Sequence, residues 1–180
     1  VGRKNIMEFS FLGKLSAEQQ ANANLILNEC ESYSLLMGQT AYVLATAWHE
    51  SKFKPIEEIG KGKGKPYGQK IKYSGKPYYT PDKLYYGRGF VQLTWYELYE
   101  KFGKLLGLDL LNHPELALVP EHAIRILVYG MINGLFTGAK LSRFVNSKSV
   151  DFINARKVIN GLDKAKLISG YADKILRELS

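Results

Sequence analysis

The stretch Gln39-Thr40-Ala41-Tyr42-Val43-Leu44-Ala45-Thr46-Ala47-Trp48-His49-Glu50-Ser51 decides how this chain folds. Ala41, Leu44, Ala45 and Trp48 fall at i, i+3, i+4 and i+7, the spacing of one helical face, and the residues between them are mostly apolar too. A largely buried helix is predicted over Gln39 to Glu50, entered after a turn at Gly38 and left at Phe53 and Pro55.

Working outward, the rest of the chain also reads as helix. Ser16-Ala17-Glu18-Gln19 matches a capping box, and Ala21, Leu25, Ile26 and Tyr33 predict an apolar stripe on a helix over Ala17 to Glu31. Further helices are predicted over Trp95 to Leu106 (stopped by Gly107), Pro120 to Leu135 (Pro at N1), Val150 to Asn160 (stopped by Gly161), and Lys164 to Leu179 behind an Asp163 cap. Only residues 60–83 look strand-like: Gly64-Lys65-Pro66-Tyr67 is echoed by Gly75-Lys76-Pro77-Tyr78, and Ser74-Gly75 suits the turn of a small hairpin. The fold class is mainly α with a small β-hairpin lobe.

At 180 residues and 46% apolar content, the chain suits one globular domain, residues 1–180, with 1–10 read as a flexible or extraneous start. Its apolar runs are far shorter than the roughly 20 residues of a bilayer span. A single cysteine, Cys30, cannot close an internal disulfide, so packing must hold the fold, as a reducing cytoplasm permits. The first residues lack the apolar core of a secretion signal. Net charge is +8, and seven lysines (Lys61, Lys63, Lys65, Lys70, Lys72, Lys76, Lys83) against Asp82 place most of it in one loop. That loop is either a solvated surface segment or an attraction to an anionic polymer or envelope.

Chemistry concentrates at Ala47-Trp48-His49-Glu50-Ser51. A carboxylate at the negative end of a helix dipole, beside Trp48 and Phe53, is placed to keep its proton, as a general acid must. Read locally, Glu50 is also an exposed helix-end residue or the partner of a lysine. Glu57 and Glu58 follow after Pro55, and two carboxylates in unlike surroundings are what glycosidic hydrolysis needs. His49 has no second histidine four residues on, because position 53 is Phe53, so no zinc-protease motif exists. No metal centre of the common kinds is expected, and Cys30 has no nucleophile elbow around it. Tyr85-Tyr86-Gly87-Arg88-Gly89-Phe90-Val91-Gln92-Leu93-Thr94-Trp95 reads as a polar cleft wall with aromatic platforms.

His49-Glu50-Ser51, Tyr86 to Trp95, and Ile159-Asn160-Gly161-Leu162-Asp163, in this order, resemble glycoside hydrolase family 19, the chitinase-like group. The match spans roughly Thr40 to Leu179, and the compact, disulfide-free form resembles bacteriophage endolysins. The resemblance implies a lysozyme-like α+β fold and inversion by direct attack of water, with no metal or organic cofactor. It implies Glu50 as general acid, Glu58 as general base with Glu57 the alternative, and Thr94 as a holder of the attacking water. Gln92, Asn160, Tyr86, Arg88 and His49 are the candidate substrate-binding residues. Many relatives carry an arginine downstream of Asn-Gly that supports the base; here only Lys164 and Lys166 stand nearby.

The expected function is therefore an endolysin cutting the β-1,4 bond between N-acetylmuramic acid and N-acetylglucosamine in peptidoglycan. It would act as a monomer at an anionic envelope, without nucleic acid, and wait in the host cytoplasm for holin-dependent release. A chitinase is the enzyme alternative. A non-catalytic binder of glycan or nucleic acid, using Tyr78, Tyr79, Tyr85 and Tyr86 with lysines, is the alternative of another kind.

Overall fold

A computed structural model describes residues 8–63 and 85–180, and the backbone alone of 71–73 and 76–78. The described chain is mostly helical with short antiparallel pairs, consistent with a lysozyme-like α+β fold. Its centre is α2 (Met37–Ser51), buried at Gly38 and from Thr40 to Ala47, as its nearly continuous apolar sequence requires. Packed around it are α5 (Ala165–Leu179), α1 (Ala17–Ser32) and α4 (Pro120–Asn133). A second, smaller core gathers Tyr85, Leu93, Tyr99, Phe102, Leu110, Ala117 and Ile126 under α3 (Tyr96–Leu106).

Most helix boundaries follow local chemistry. The capping box at α1 forms, with Ser16 Oγ accepting from Gln19 N and Gln19 Oε1 accepting from Ser16 N. Pro120 occupies the start of α4, while Gly107 and Gly134, both left-handed, close α3 and α4. The stripe on α1 is rotated from the expected one: Asn22, Ala23, Ile26, Leu27 and Cys30 face inward, and Leu25 and Tyr33 face out. Asn22 is admitted to the interior because its amide donates to the Phe53 carbonyl at 2.8 Å.

Two expectations are corrected. Val150 to Asn160 is not an α-helix: Val150 bridges Val145, Asp151 caps a turn through Asn154, and a 3-10 turn covers Asn154–Val158. Its buried residues Phe152, Ala155 and Val158 lie three apart, a period that a 3-10 turn places on one face. Nor does Asp163 cap α5; Lys164, left-handed at φ 60°, is the N-cap.

The sheets are small. β1 (Ile56–Glu57) pairs antiparallel with β4 (Arg88–Gly89), and β2 (Ile71–Tyr73) pairs with β3 (Lys76–Tyr78) in the expected hairpin. The side chains of Lys65, Lys70, Lys72, Lys76, Lys83, Tyr78 and Tyr79 lie outside the described residues, as do residues 1–7. Phe9 is buried against Phe53 and donates its N–H to Glu178. No helix among the described residues is long and apolar enough to cross a membrane.

Candidate active site

Glu50 lies in the last turn of α2, where the chain turns sharply. Lys52 and Phe53 both take left-handed conformations, φ 53° and 59°, a strain of about 1 kcal/mol or more each for non-glycine residues. Burial of the Phe53 ring against Trp48 and Phe9, worth about 2 kcal/mol, offsets much of it. Gln19 and Asn22 on α1 hold the carbonyls of Lys52 and Phe53, and the Lys52 ammonium sits 4.7 Å from the Trp48 ring centroid. The turn sends the chain from Glu50 into β1 and then to Glu58.

The surroundings of Glu50 are not the apolar ones its neighbours suggested. Arg156, nearly buried, donates from Nη1 to Glu50 Oε1 at 2.6 Å and from Nε to the Asp163 carbonyl at 2.9 Å. The partner is thus an arginine, 106 residues away in sequence, rather than a lysine. His49, alongside, has its imidazole pKa lowered chiefly by burial.

Glu58 belongs to a three-ribbon platform whose middle is the segment 85–89. On one side, Glu58 N donates to the Gly87 carbonyl at 2.7 Å and Gly87 N donates to Glu58 Oε2 at 3.2 Å. On the other, Arg88 and Leu93 exchange backbone hydrogen bonds, which sets Thr94 across from Gly87. Glu58 and Thr94 therefore flank the same glycine. Thr94 Oγ1 donates its proton to the Gln92 carbonyl at 2.7 Å, leaving the hydroxyl oxygen to accept. Glu57 points elsewhere: it meets Lys61 at 3.3 Å and pairs with Arg88 in register.

A Cβ added at Gly87 would meet Gln92 Oε1 at 2.8 Å and Gln92 Cβ at 3.1 Å. We predict that Gly87→Ala displaces Gln92 and opens the platform, lowering stability by about 1–3 kcal/mol and glycan turnover with it; urea unfolding and a reducing-end assay read the two effects. Parental values in both would contradict the platform.

Several candidate binding residues have other duties. Arg88 is 6% exposed, with its guanidinium 3.7 Å from the Tyr86 ring centroid and Nη1 donating to the Tyr99 hydroxyl. Tyr86 is buried beneath it, and Tyr85 is fully buried, so neither offers a ring for stacking. Arg88 and Tyr86 brace the platform from inside. Gln92 spends its NH2 on the Ile56 and Gly89 carbonyls, bracing β1 against the loop. Asn160 does face solvent; its Oδ1 accepts from Gly161 N, which leaves the amide NH2 outward. Sequence reasoning missed Arg156, whose one signal was a charged residue set among the buried positions Phe152, Ala155 and Val158. Among the described residues, no group of three or more His, Cys, Asp or Glu could hold a metal ion.

A family profile described as chitinase class I, glycoside hydrolase family 19, matches residues 36–128, just over half of the chain. The chain belongs to glycoside hydrolase family 19. The matched segment contains α2 with Glu50, both following glutamates and the whole Gly87 platform, whereas Arg156 and Asn160 lie beyond it. Among curated relatives, an endochitinase of Arabidopsis thaliana is 42% identical over 81 residues, 43% of this chain and 26% of that protein. Endochitinase 1 of Theobroma cacao is 53% identical over 37 residues, 21% of this chain and 12% of its own. Inactive chitinase-like protein 1 of Hevea brasiliensis is 57% identical over 37 residues, again 21% and 12%. The chain thus spans about a quarter or less of these relatives' length. Since two chitinase-like relatives are named inactive, activity has to be argued from the carboxylates themselves.

Proposed function

We propose that this chain hydrolyses β-1,4 glycosidic bonds of an N-acetylglucosamine-containing glycan, and that its polymer is the peptidoglycan strand. The observation that carries the reading is the unlike fixing of two glutamates. Glu50 is held at one oxygen by Arg156, and Glu58 is held on the Gly87 backbone beside Thr94.

The proton bookkeeping follows from the donors. Arg156 can only donate, so Glu50 Oε1 is an acceptor and the transferable proton sits on Oε2. Oε2 gives that proton to the glycosidic oxygen as the bond to the anomeric carbon breaks. Water attacks the same carbon from the opposite face, losing one proton to Glu58 and donating its other hydrogen to the Thr94 oxygen, which is free to accept. One-step inversion of this kind needs carboxyl groups about 6.5 to 9.5 Å apart, to leave room for the water. Asn160 offers its amide to the sugar and the near-neutral His49 packs beside the acid, while Gln92, Arg88 and Tyr86 keep the platform rigid.

Charge supports the wall as substrate. The net +8, with Lys61 and Lys63 exposed directly after Glu58, favours an anionic envelope over neutral chitin. On this reading the protein is an endolysin of the bacteriophage type, monomeric, freed to the wall by a holin. The endochitinase relatives favour a second reading, in which chitin is cut. Purified protein added to outer-membrane-permeabilised Gram-negative cells should lower their turbidity and generate reducing ends. Cleavage of an N-acetylglucosamine hexamer with the wall left intact would assign a chitinase. Release of free amino groups in place of reducing ends would make the protein an amidase or peptidase.

A further inference from the structure

The segment after Asn160 builds a surface that the reaction above does not use. Ile153, Leu162, Lys164, Ala165, Lys166 and Leu167 line an open groove of ≈ 520 Å³. Its floor is apolar and exposed: Leu162 is 51%, Leu167 47% and Ile153 38% accessible. Lys164 and Lys166 are exposed at its rim, and neither pairs with a carboxylate among the described residues.

The groove is tied to Glu50 through one side chain. One guanidinium, that of Arg156, holds Glu50 Oε1 on one side and the Asp163 carbonyl on the other, so groove residues Leu162 and Lys164 directly flank the backbone tied to the acid. The Asp163 carboxylate is also close enough to influence His49. A sugar bound at Glu50 is thus one side chain, Arg156, away from the backbone that flanks the groove.

We propose that the groove takes the acidic stem peptide borne by the muramyl sugars of a wall strand whose glycan lies against Glu50, an inference that rests on the peptidoglycan reading. Chitin carries acetamides and no charge along its length. A wall strand carries short peptides with alanine methyls and free carboxylates, and these two features match an apolar floor with two exposed lysines at its rim. Stem binding next to the acid seats the strand by contacts remote from the scissile bond, so peptide-bearing glycan is selected over bare polymer.

The test uses the full chain with Lys164→Glu and Lys166→Glu together, both exposed positions, with circular dichroism as the check on folding. Three substrates are compared: solubilised wall glycan with its stems, the same strands stripped by an amidase, and an N-acetylglucosamine hexamer. The parent should show a lower KM on stemmed than on stripped strands. The double variant should raise KM on stemmed strands about tenfold, the effect of turning two exposed attractions into repulsions, and leave the other two substrates within about twofold. Equal loss on all three, or no change on stemmed strands, overturns the groove assignment. A parent that cuts the hexamer and neither wall substrate overturns the peptidoglycan reading itself and the groove with it. A parental dimer that the double variant dissolves would give the groove to a second copy and likewise overturn the proposal.

Discussion

Glu50→Gln should fold like the parent and lose between about 10² and 10⁴ in kcat, the range that a positioned proton donor supplies. The substitution is close to isosteric: the glutamine oxygen can still accept from Arg156 Nη1, while the amide occupies the place of Oε2 and has no proton to deliver. Loss of rate with thermal unfolding close to the parent's would locate the effect in chemistry. Parental turnover by Glu50→Gln would remove the acid from the mechanism. Glu58→Gln should fall by a similar factor. Glu57→Gln should retain most activity, since Glu57 is engaged by Lys61 at 3.3 Å and lies opposite Arg88 in the strand pair. These two variants decide which neighbouring glutamate is the base.

Arg156→Met is the substitution with the largest expected effect on the folded state. It leaves the Asp163 carbonyl without the donor that Nε supplies and Glu50 Oε1 without the donor that Nη1 supplies. A hydrogen bond from a charged donor is worth about 1.5–3 kcal/mol, but the Glu50 side chain is 20% exposed and can turn toward water, which brings the expected loss for the two bonds together to about 2–3 kcal/mol. Catalysis should drop as well, in kcat more than KM, because Oε2 is no longer aimed. Arg156→Lys should rescue little, since a single ammonium cannot reproduce a fork that spans two acceptors. Urea midpoints and steady-state rates for both variants give the answer; parental stability and rate in Arg156→Met would show that the bridge does neither job.

How much of this was readable in advance depends on how local the cause is. The central helix announced itself, because a run from Ala41 to Ala47 that is apolar on every side has nowhere to go but the interior. The Ser16 cap, the Pro120 start and the Gly107 stop are likewise set by neighbours within a turn. Glu50 and the Gly87 segment were legible as a motif. The α1 stripe came out rotated because Asn22, polar by type, is made welcome inside by one carbonyl of a distant turn. The segment after Val150 misled because a spacing of three fits both an imperfect α-helix and a 3-10 turn, and the Asp151 side chain chose the turn.

The site divides the same way. Arg88, Tyr86 and Gln92 carry the polar and aromatic groups a cleft would use, and residue type cannot say that the first two are packed inward while the third is tied to two carbonyls. Arg156 was invisible as a partner of Glu50 because only the closure of α2 against the 154–158 turn brings them together. Arg156 stands four residues upstream of Asn160, not downstream of it, and bonds Glu50.

The central claim, one-step displacement by water between Glu50 and Glu58, is tested most directly by proton NMR of the sugar product in the first moments of hydrolysis, before mutarotation. From a β-1,4-linked glycan, inversion predicts that the α anomer appears first; a first product in the β form would contradict it.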